Sequence, residues 1–176
     1  MAKIGIYGGS FNPVHFGHVG VAKWVIENTD LDEVWLLVSP NNPLKPIGSL
    51  APEQERLEAV RNAIKDIPGL VASDFEFSLP RPSYTANTLR ALQQTYPGHE
   101  FTLVIGEDNL SIFHQWREYE YILANFRIFV FPRKGIEPNQ PSLLTESKNV
   151  VYLEDAPLFD ISSTQIRQSA ILSVDK

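Results

Sequence analysis

Two histidines, His15 and His18, stand three residues apart behind a glycine-rich stretch, Gly8-Gly9-Ser10-Phe11-Asn12-Pro13-Val14. That spacing puts both imidazoles on one face of a helix's first turn. There they can donate hydrogen bonds to a phosphate and follow its charge as a bond breaks. A bare H-x-x-H serves equally as a metal pair or as surface residues, and spacing alone does not choose. The context favours phosphate. Lys3-Ile4-Gly5-Ile6-Tyr7 reads as a buried strand and Val19 to Asn28 as a helix, so the stretch joins a strand end to a helix start. A helix start has unpaired N–H groups and the positive end of its dipole. Gly8 and Gly9 let a ligand approach the main chain. The stretch is neither a G-x-x-x-x-G-K-[ST] loop nor a G-x-G-x-x-G fingerprint.

A second cluster lies toward the other end. Ser162, Ser163 and Thr164 precede Ile166 and read as a helix cap, with helix to about Leu172. With Arg167 one turn in, the same hydroxyls and free amides make a second phosphate site, and both readings stand. Asp108, in Gly106-Glu107-Asp108-Asn109, follows an apolar run. It suits a ribose hydroxyl or the cap of the next helix equally. Lys45 is the one cation of a proline-rich loop, 40–49, that can act as a flap over the site. Its ordinary reading is a solvated surface lysine.

These residues need a scaffold, and the chain alternates apolar runs with helical patterns. Glu33 to Ser39, Leu70 to Phe77, Glu100 to Ile105, Phe126 to Phe131 and Val150 to Leu153 read as further strands. Continuous apolar character implies burial on both faces, hence a parallel sheet. Helices are expected from Ala51 to about Asp66, with Leu57, Val60, Ala63 and Ile64 inward, and from Thr85 to Tyr96, with Leu89 and Leu92 inward. Pro68-Gly69 and Pro97-Gly98 stop them. A further helix is expected from Leu110 to Leu123, carrying Phe113, Trp116, Tyr119 and Tyr121. Most of these rings belong in a core, and one can wall a pocket for a flat ligand. The 137–148 segment reads as a polar surface loop. The expected fold is α/β: one Rossmann-like doubly wound domain over residues 1–176, with a mainly parallel sheet of about six strands.

Composition bounds the rest. The chain has 176 residues, 43% hydrophobic and 20% charged, enough for one domain with a real core. Its net charge of −6 argues against nucleic acid or an anionic membrane as partner. There is no cysteine, which excludes disulfides, thiolate catalysis and cysteine zinc sites. That absence fits the cytoplasm, and Met-Ala-Lys leads straight into the first strand with no room for a signal peptide. No apolar run approaches the roughly 20 residues of a membrane helix. The oligomeric state stays open, a homo-oligomer included.

The Gly8–His18 stretch closely resembles the H/T-x-G-H loop of the nucleotidylyltransferase superfamily, and Ile161-Ser162-Ser163-Thr164-Gln165-Ile166-Arg167 resembles its I-S-S-T-x-I-R motif. Three further stretches resemble the bacterial nicotinate-mononucleotide adenylyltransferases. They are Ser83-Tyr84-Thr85 with Thr88-Leu89, Ile105-Gly106-Glu107-Asp108-Asn109 with Phe113 and Trp116, and Pro40-Asn41-Asn42-Pro43-Leu44-Lys45. The chain departs from that family at Leu44, where histidine is usual, at Glu107, where a small residue is common, and at Arg117, where a second aromatic is frequent.

The resemblance implies direct adenylyl transfer from ATP to nicotinate mononucleotide, giving nicotinate adenine dinucleotide and pyrophosphate. Main-chain amides near Gly8, Gly9, Ser10 and Phe11 would receive phosphates at the reacting centre. His15 and His18 would contact ATP phosphates and stabilise the transition state, with Ser162, Ser163, Thr164 and Arg167 on the triphosphate side and Lys45 as a mobile cation. Asp108, the Gly106 backbone and Arg133 would sit by the adenosine. Trp116 would stack on the pyridine ring, Thr85 would offer its N–H to the ring's carboxylate, and Ser83 and Tyr84 would complete that pocket. Mg²⁺ would come with ATP, held mainly by phosphate and water, with no protein carboxylate as ligand. The implied alternatives are nicotinamide mononucleotide or phosphopantetheine as acceptor, a nucleotide-binding regulator without turnover, or a metal-dependent hydrolase.

Overall fold

The computed structural model describes residues 1–41, 48–133 and 147–158. Six strands form one sheet: β1 (Lys3–Gly9), β2 (Glu33–Val38), β3 (Leu70–Ser73), β4 (Glu100–Gly106), β5 (Arg127–Phe131) and β6 (Val150–Tyr152). The order is β3-β2-β1-β4-β5-β6, and every pairing is parallel. The helices are α1 (Phe16–Asn28), α2 (Glu53–Ile64), α3 (Thr85–Thr95), the single turn α4 (Glu107–Leu110) and α5 (Tyr119–Asn125). This is the doubly wound α/β architecture that the buried apolar runs imply.

Strand side chains alternate between two faces, and each face has its own core. Tyr7, Val34, Leu36, Val38, Val104, Phe129 and Phe131 pack with Val21, Ala22 and Val25 of α1 and Leu57, Val60 and Ile64 of α2. Ile4, Ile6, Leu37, Phe101, Leu103, Ile105, Ile128 and Val130 pack with Ala86, Leu89 and Leu92 of α3 and Ile122 of α5. Each large side chain fully buried this way contributes about 1.5–3 kcal/mol. Gly5 is required by packing: a Cβ there would stand 2.7 Å from Leu31 Cδ1.

The structure differs from expectation most at four places. Gly8 and Gly9 belong to β1, paired with Leu37 and Val38, so the turn begins at Ser10. β3 ends at Ser73, whose hydroxyl accepts the Phe75 N–H at 3.2 Å and turns the chain into a 3-10 segment, Phe75–Ser78. Ala63 faces solvent, and α2 instead buries Arg56 beside Leu57, Val60 and Ile64. The 110–123 helix is broken into α4, a 3-10 turn at Phe113–Gln115 and α5, with Glu118 at φ 53° capping the last piece.

The strand order reverses between β1 and β4. These two strands pair from Lys3↔Glu100 to Ile6↔Leu103. Their carboxyl ends carry Gly8, Gly9 and Gly106 to the crevice where open α/β sheets bind ligands.

Candidate active site

α1 starts on its histidines. His15 is the N-cap, in extended backbone, and His18 is the third residue of the helix. His15 Nδ1 accepts the Gly17 N–H at 3.0 Å, and His18 Nδ1 accepts the His15 N–H at 3.1 Å. This is a capping box with imidazoles in place of the usual hydroxyl and carboxylate. A backbone N–H only donates, so both Nδ1 atoms are unprotonated and each neutral ring keeps its proton on Nε2. The rings stack with centroids 3.7 Å apart at 24°. Burial, then the neighbouring His15, then Arg133 push the His18 pKa down to about 3. His15 is lowered as well, by burial first and Arg133 second. At neutral pH the pair is therefore uncharged, with one Nε2–H donor on each ring.

Their positions are locked from behind. Phe11, in left-handed backbone at φ 48°, is buried and meets His18 edge-on at 4.9 Å. Phe11 also stacks on Tyr7 at 5.8 Å, and Tyr7 on Phe131 at 5.7 Å. Burial holds the Tyr7 phenol well above its ordinary range, so Tyr7 is a neutral wall and not an acid.

A cavity of about 410 Å³ opens at the crevice. That is ample for a small-molecule site. Gly8, Gly9 and Ser10 form one wall, and Ser83, Thr85, Thr88 and Trp116 line the other. A Cβ on Gly8 would meet nothing within 4 Å, so the bare backbone there looks onto open space. Thr85 is the first residue of α3, and its N–H is one of that helix's unpaired amides. Trp116 lies 5.1 Å from Phe113 at 51°, packed on the core while it also lines the cavity.

Gly106 also borders the cavity. Its missing side chain leaves room for Asp108 Oδ1, which would stand 2.5 Å from a Cβ. Asp108 makes no capping hydrogen bond to α4; its carboxylate sits 3.8 Å from Arg133 Nε. Glu107 accepts the Arg133 N–H at 3.1 Å, so this departure from the family pattern fixes the chain after β5. Tyr84 does not line the cavity; its ring carries Arg117, whose guanidinium carbon lies 4.4 Å from the centroid. Ser83 Oγ is buried without a hydrogen-bond partner. Lys45, Ser162, Ser163, Thr164 and Arg167, with the helix expected after them, lie outside the described residues.

Sequence reasoning missed three residues. Glu76 is buried, lines the cavity and accepts the Thr88 hydroxyl at 2.6 Å. Burial raises its pKa, against the hydrogen bonds from Thr88 and Ser39. Arg81 lines the cavity and pairs in a fork with Glu53 at 2.8 and 2.9 Å. Arg56 is 2% exposed. The signal for Glu76 was an acid flanked by two phenylalanines, masked by its strand-like setting. Arg56 looked like one more polar residue in a charged first helical turn.

No group of three His, Asp or Glu side chains able to hold a metal occurs among the described residues. No described helix is long and apolar enough to cross a membrane.

Donors suited to phosphate on one wall and a flat ring on the other are what a nucleotidyltransferase needs at such a switch point. The chain belongs to the cytidylyltransferase-like family, whose profile matches residues 6–169. It is 47% identical over 167 residues to a Flavobacterium johnsoniae protein named probable nicotinate-nucleotide adenylyltransferase, covering 95% of this chain and 86% of that one. A Cytophaga hutchinsonii protein of the same name is 49% identical over 165 residues, covering 94% and 84%. In fold the chain is similar to Plasmodium falciparum nicotinic acid mononucleotide adenylyltransferase complexed with NaAD, with a TM-score of 0.82 at 21% identity over 96% of this chain and 83% of that one.

Proposed function

We propose that this chain transfers the adenylyl group of ATP to nicotinate mononucleotide, releasing pyrophosphate and forming nicotinate adenine dinucleotide for NAD biosynthesis. The observation that carries the reading is the imidazole capping box beside the bare end of β1. It provides two Nε2–H donors beside open main chain, as a direct transfer between two phosphates requires. In this reaction the mononucleotide's 5′-phosphate attacks the α-phosphorus of ATP in line, and the bond to pyrophosphate breaks. The protein must hold two anions together and offset the charge that develops. The main chain from Gly8 to Phe11 receives the reacting phosphate. His15 and His18 hydrogen-bond the ATP phosphates, and that contact strengthens as charge moves to the leaving group.

At the other wall Trp116 stacks on the pyridine ring, the Thr85 amide binds its carboxylate, and Ser83 shapes the pocket, while Tyr84 stands outside the lining and carries Arg117. The Gly106 backbone, Asp108 and Arg133 hold the adenosine end. Lys45, Ser162, Ser163, Thr164 and Arg167 serve the triphosphate. Enzymes of this kind generally use a divalent metal with the nucleotide. Here Mg²⁺ arrives as part of the ATP substrate, held mainly by phosphate oxygens and water. The cytoplasm is the proposed location.

The test is pyrophosphate release with ATP and Mg²⁺ and three parallel acceptors. Strong preference for nicotinate mononucleotide supports the proposal. Preference for nicotinamide mononucleotide keeps the reaction and overturns the roles of Thr85 and Trp116. ATP binding with no release from any acceptor supports the regulatory reading instead.

A further inference from the structure

Arg56 sits in the first turn of α2, yet its side chain turns inward and is 2% exposed. A buried guanidinium needs partners for its donors. Its Nη1 donates to the Ser10 carbonyl at 2.7 Å and to the Ser39 carbonyl at 2.7 Å. Its Nη2 donates to Asn41 Oδ1 at 2.7 Å, and its Nε to the Ala51 carbonyl at 2.9 Å. All four acceptors are neutral. The nearby acid, Glu53, is held in the fork of Arg81.

These acceptors belong to separate pieces of chain. Ser10 is the first residue after β1, at the start of the turn that leads to the histidine cap. Ser39 is the first residue after β2, and its own N–H donates to the Gly9 carbonyl at 2.9 Å. Asn41 lines the cavity, and its carbonyl also accepts from Arg81 at 3.3 Å. Ala51 leads into α2, and its N–H donates to Asn12 Oδ1 at 3.2 Å. No ladder of the sheet holds Ser10, Asn41 and Ala51. One planar fork ties them.

We infer that Arg56 is the positioning residue of the phosphate-receiving wall: its guanidinium sets the Ser10 turn against the Ser39–Asn41 segment and so fixes where the main-chain amides meet the reacting phosphate. It touches no substrate. The inference rests on the phosphate role of the Ser10 turn proposed above. A turn loosened by about 1 Å costs on the order of a hundredfold in rate where alignment matters. A lysine cannot replace it, because an ammonium lacks the rigid planar fork that spans four acceptors.

The test is Arg56→Ala, assayed for adenylyl transfer with and without millimolar ethylguanidinium, with a thermal melt under each condition. The expected result is a kcat at least fiftyfold below wild type at a temperature where the variant is fully folded, with KM for the mononucleotide within threefold. Ethylguanidinium should restore kcat at least tenfold at unchanged folded fraction. A kcat within threefold of wild type, or a loss that tracks the folded fraction and ignores ethylguanidinium, overturns the inference. If Arg56→Ala does not fold, Arg56→Lys decides. A folded lysine variant is expected to lose at least tenfold in kcat, and wild-type turnover there overturns the inference.

Should wild-type protein show no adenylyl transfer, the functional reading fails and calorimetric ATP binding becomes the readout. Tenfold weaker ATP binding in Arg56→Ala, recovered by ethylguanidinium, keeps the positioning role. Unchanged binding removes it.

Discussion

The two walls of the cavity are built from different materials. The β1 wall is main chain: a strand end without side chains at Gly8 and Gly9 and the turn that opens at Ser10, with the imidazole-capped start of α1 beyond the cavity lining. The opposite wall is side chain: Trp116, Ser83, Thr88 and the threonine that opens α3. Main-chain amides bind any phosphate, so under the proposed function the first wall serves the reaction and is blind to the acceptor. Ring faces and single amides distinguish one heterocycle from another, so under the same proposal the second wall selects the substrate. Chemistry and choice are thus separable here, and substitutions on the two walls should leave different kinetic signatures.

The largest effect is expected at His18. His18→Ala should lower kcat by about a hundredfold or more, the scale of losing a transition-state donor. Its folding cost should stay near 1 kcal/mol, that of a lost cap. His18→Gln keeps an acceptor for the His15 N–H and should fold like wild type while remaining as slow. An alanine variant with normal kcat would move the donor role elsewhere.

Gly8→Val comes next. A Cβ there meets nothing within 4 Å, so the added side chain should enter the open space proposed for the reacting phosphate. Rate should fall by about tenfold or more while urea midpoint and slope stay put. An equal loss of stability would mean that the space is needed by the protein itself.

Trp116→Ala should raise KM for the mononucleotide by about tenfold, as expected for a lost stacking partner. KM for ATP should change by less than twofold. Equal changes in both would make Trp116 a core residue only, and the division between the walls would fail there.

The smallest effect is on stability against pH. The folded His18 pKa is about 3, below the 6.5 of an unfolded histidine. Between these values the unfolded chain binds the extra proton, so stability falls as pH is lowered through that window. Acidification from pH 7.5 to 5.5 should cost wild type about 1 kcal/mol more than His18→Gln. Parallel urea curves for the two proteins would show that His18 is not depressed.

The sheet was legible because its strands are continuous apolar runs, and only parallel strands covered on both faces read that way. The 110–123 segment was not. Leu110, Phe113, Trp116, Tyr119 and Ile122 recur every three residues, which suits a 3-10 turn as well as an α-helix. The chain takes the tighter form at Phe113–Gln115 and reverses at Glu118. The histidine pair was legible as one face of a helix start behind a strand end, but its Nε2 tautomer required the observed N–H donors. Glu76 and Arg56 were hidden because a charged side chain buried by distant partners has no local pattern; Arg56 lies 46 residues from Ser10.

Three of the four groups that Arg56 holds are backbone carbonyls, at Ser10, Ser39 and Ala51. Carbonyls are present whatever residue the gene encodes at those places. Ser10, Ser39 and Ala51 can therefore change in side-chain identity without losing their hold on the guanidinium, while the burden of heredity falls on a single codon in α2. A lineage free to retune its substrates around this cavity would be one that leaves that codon alone.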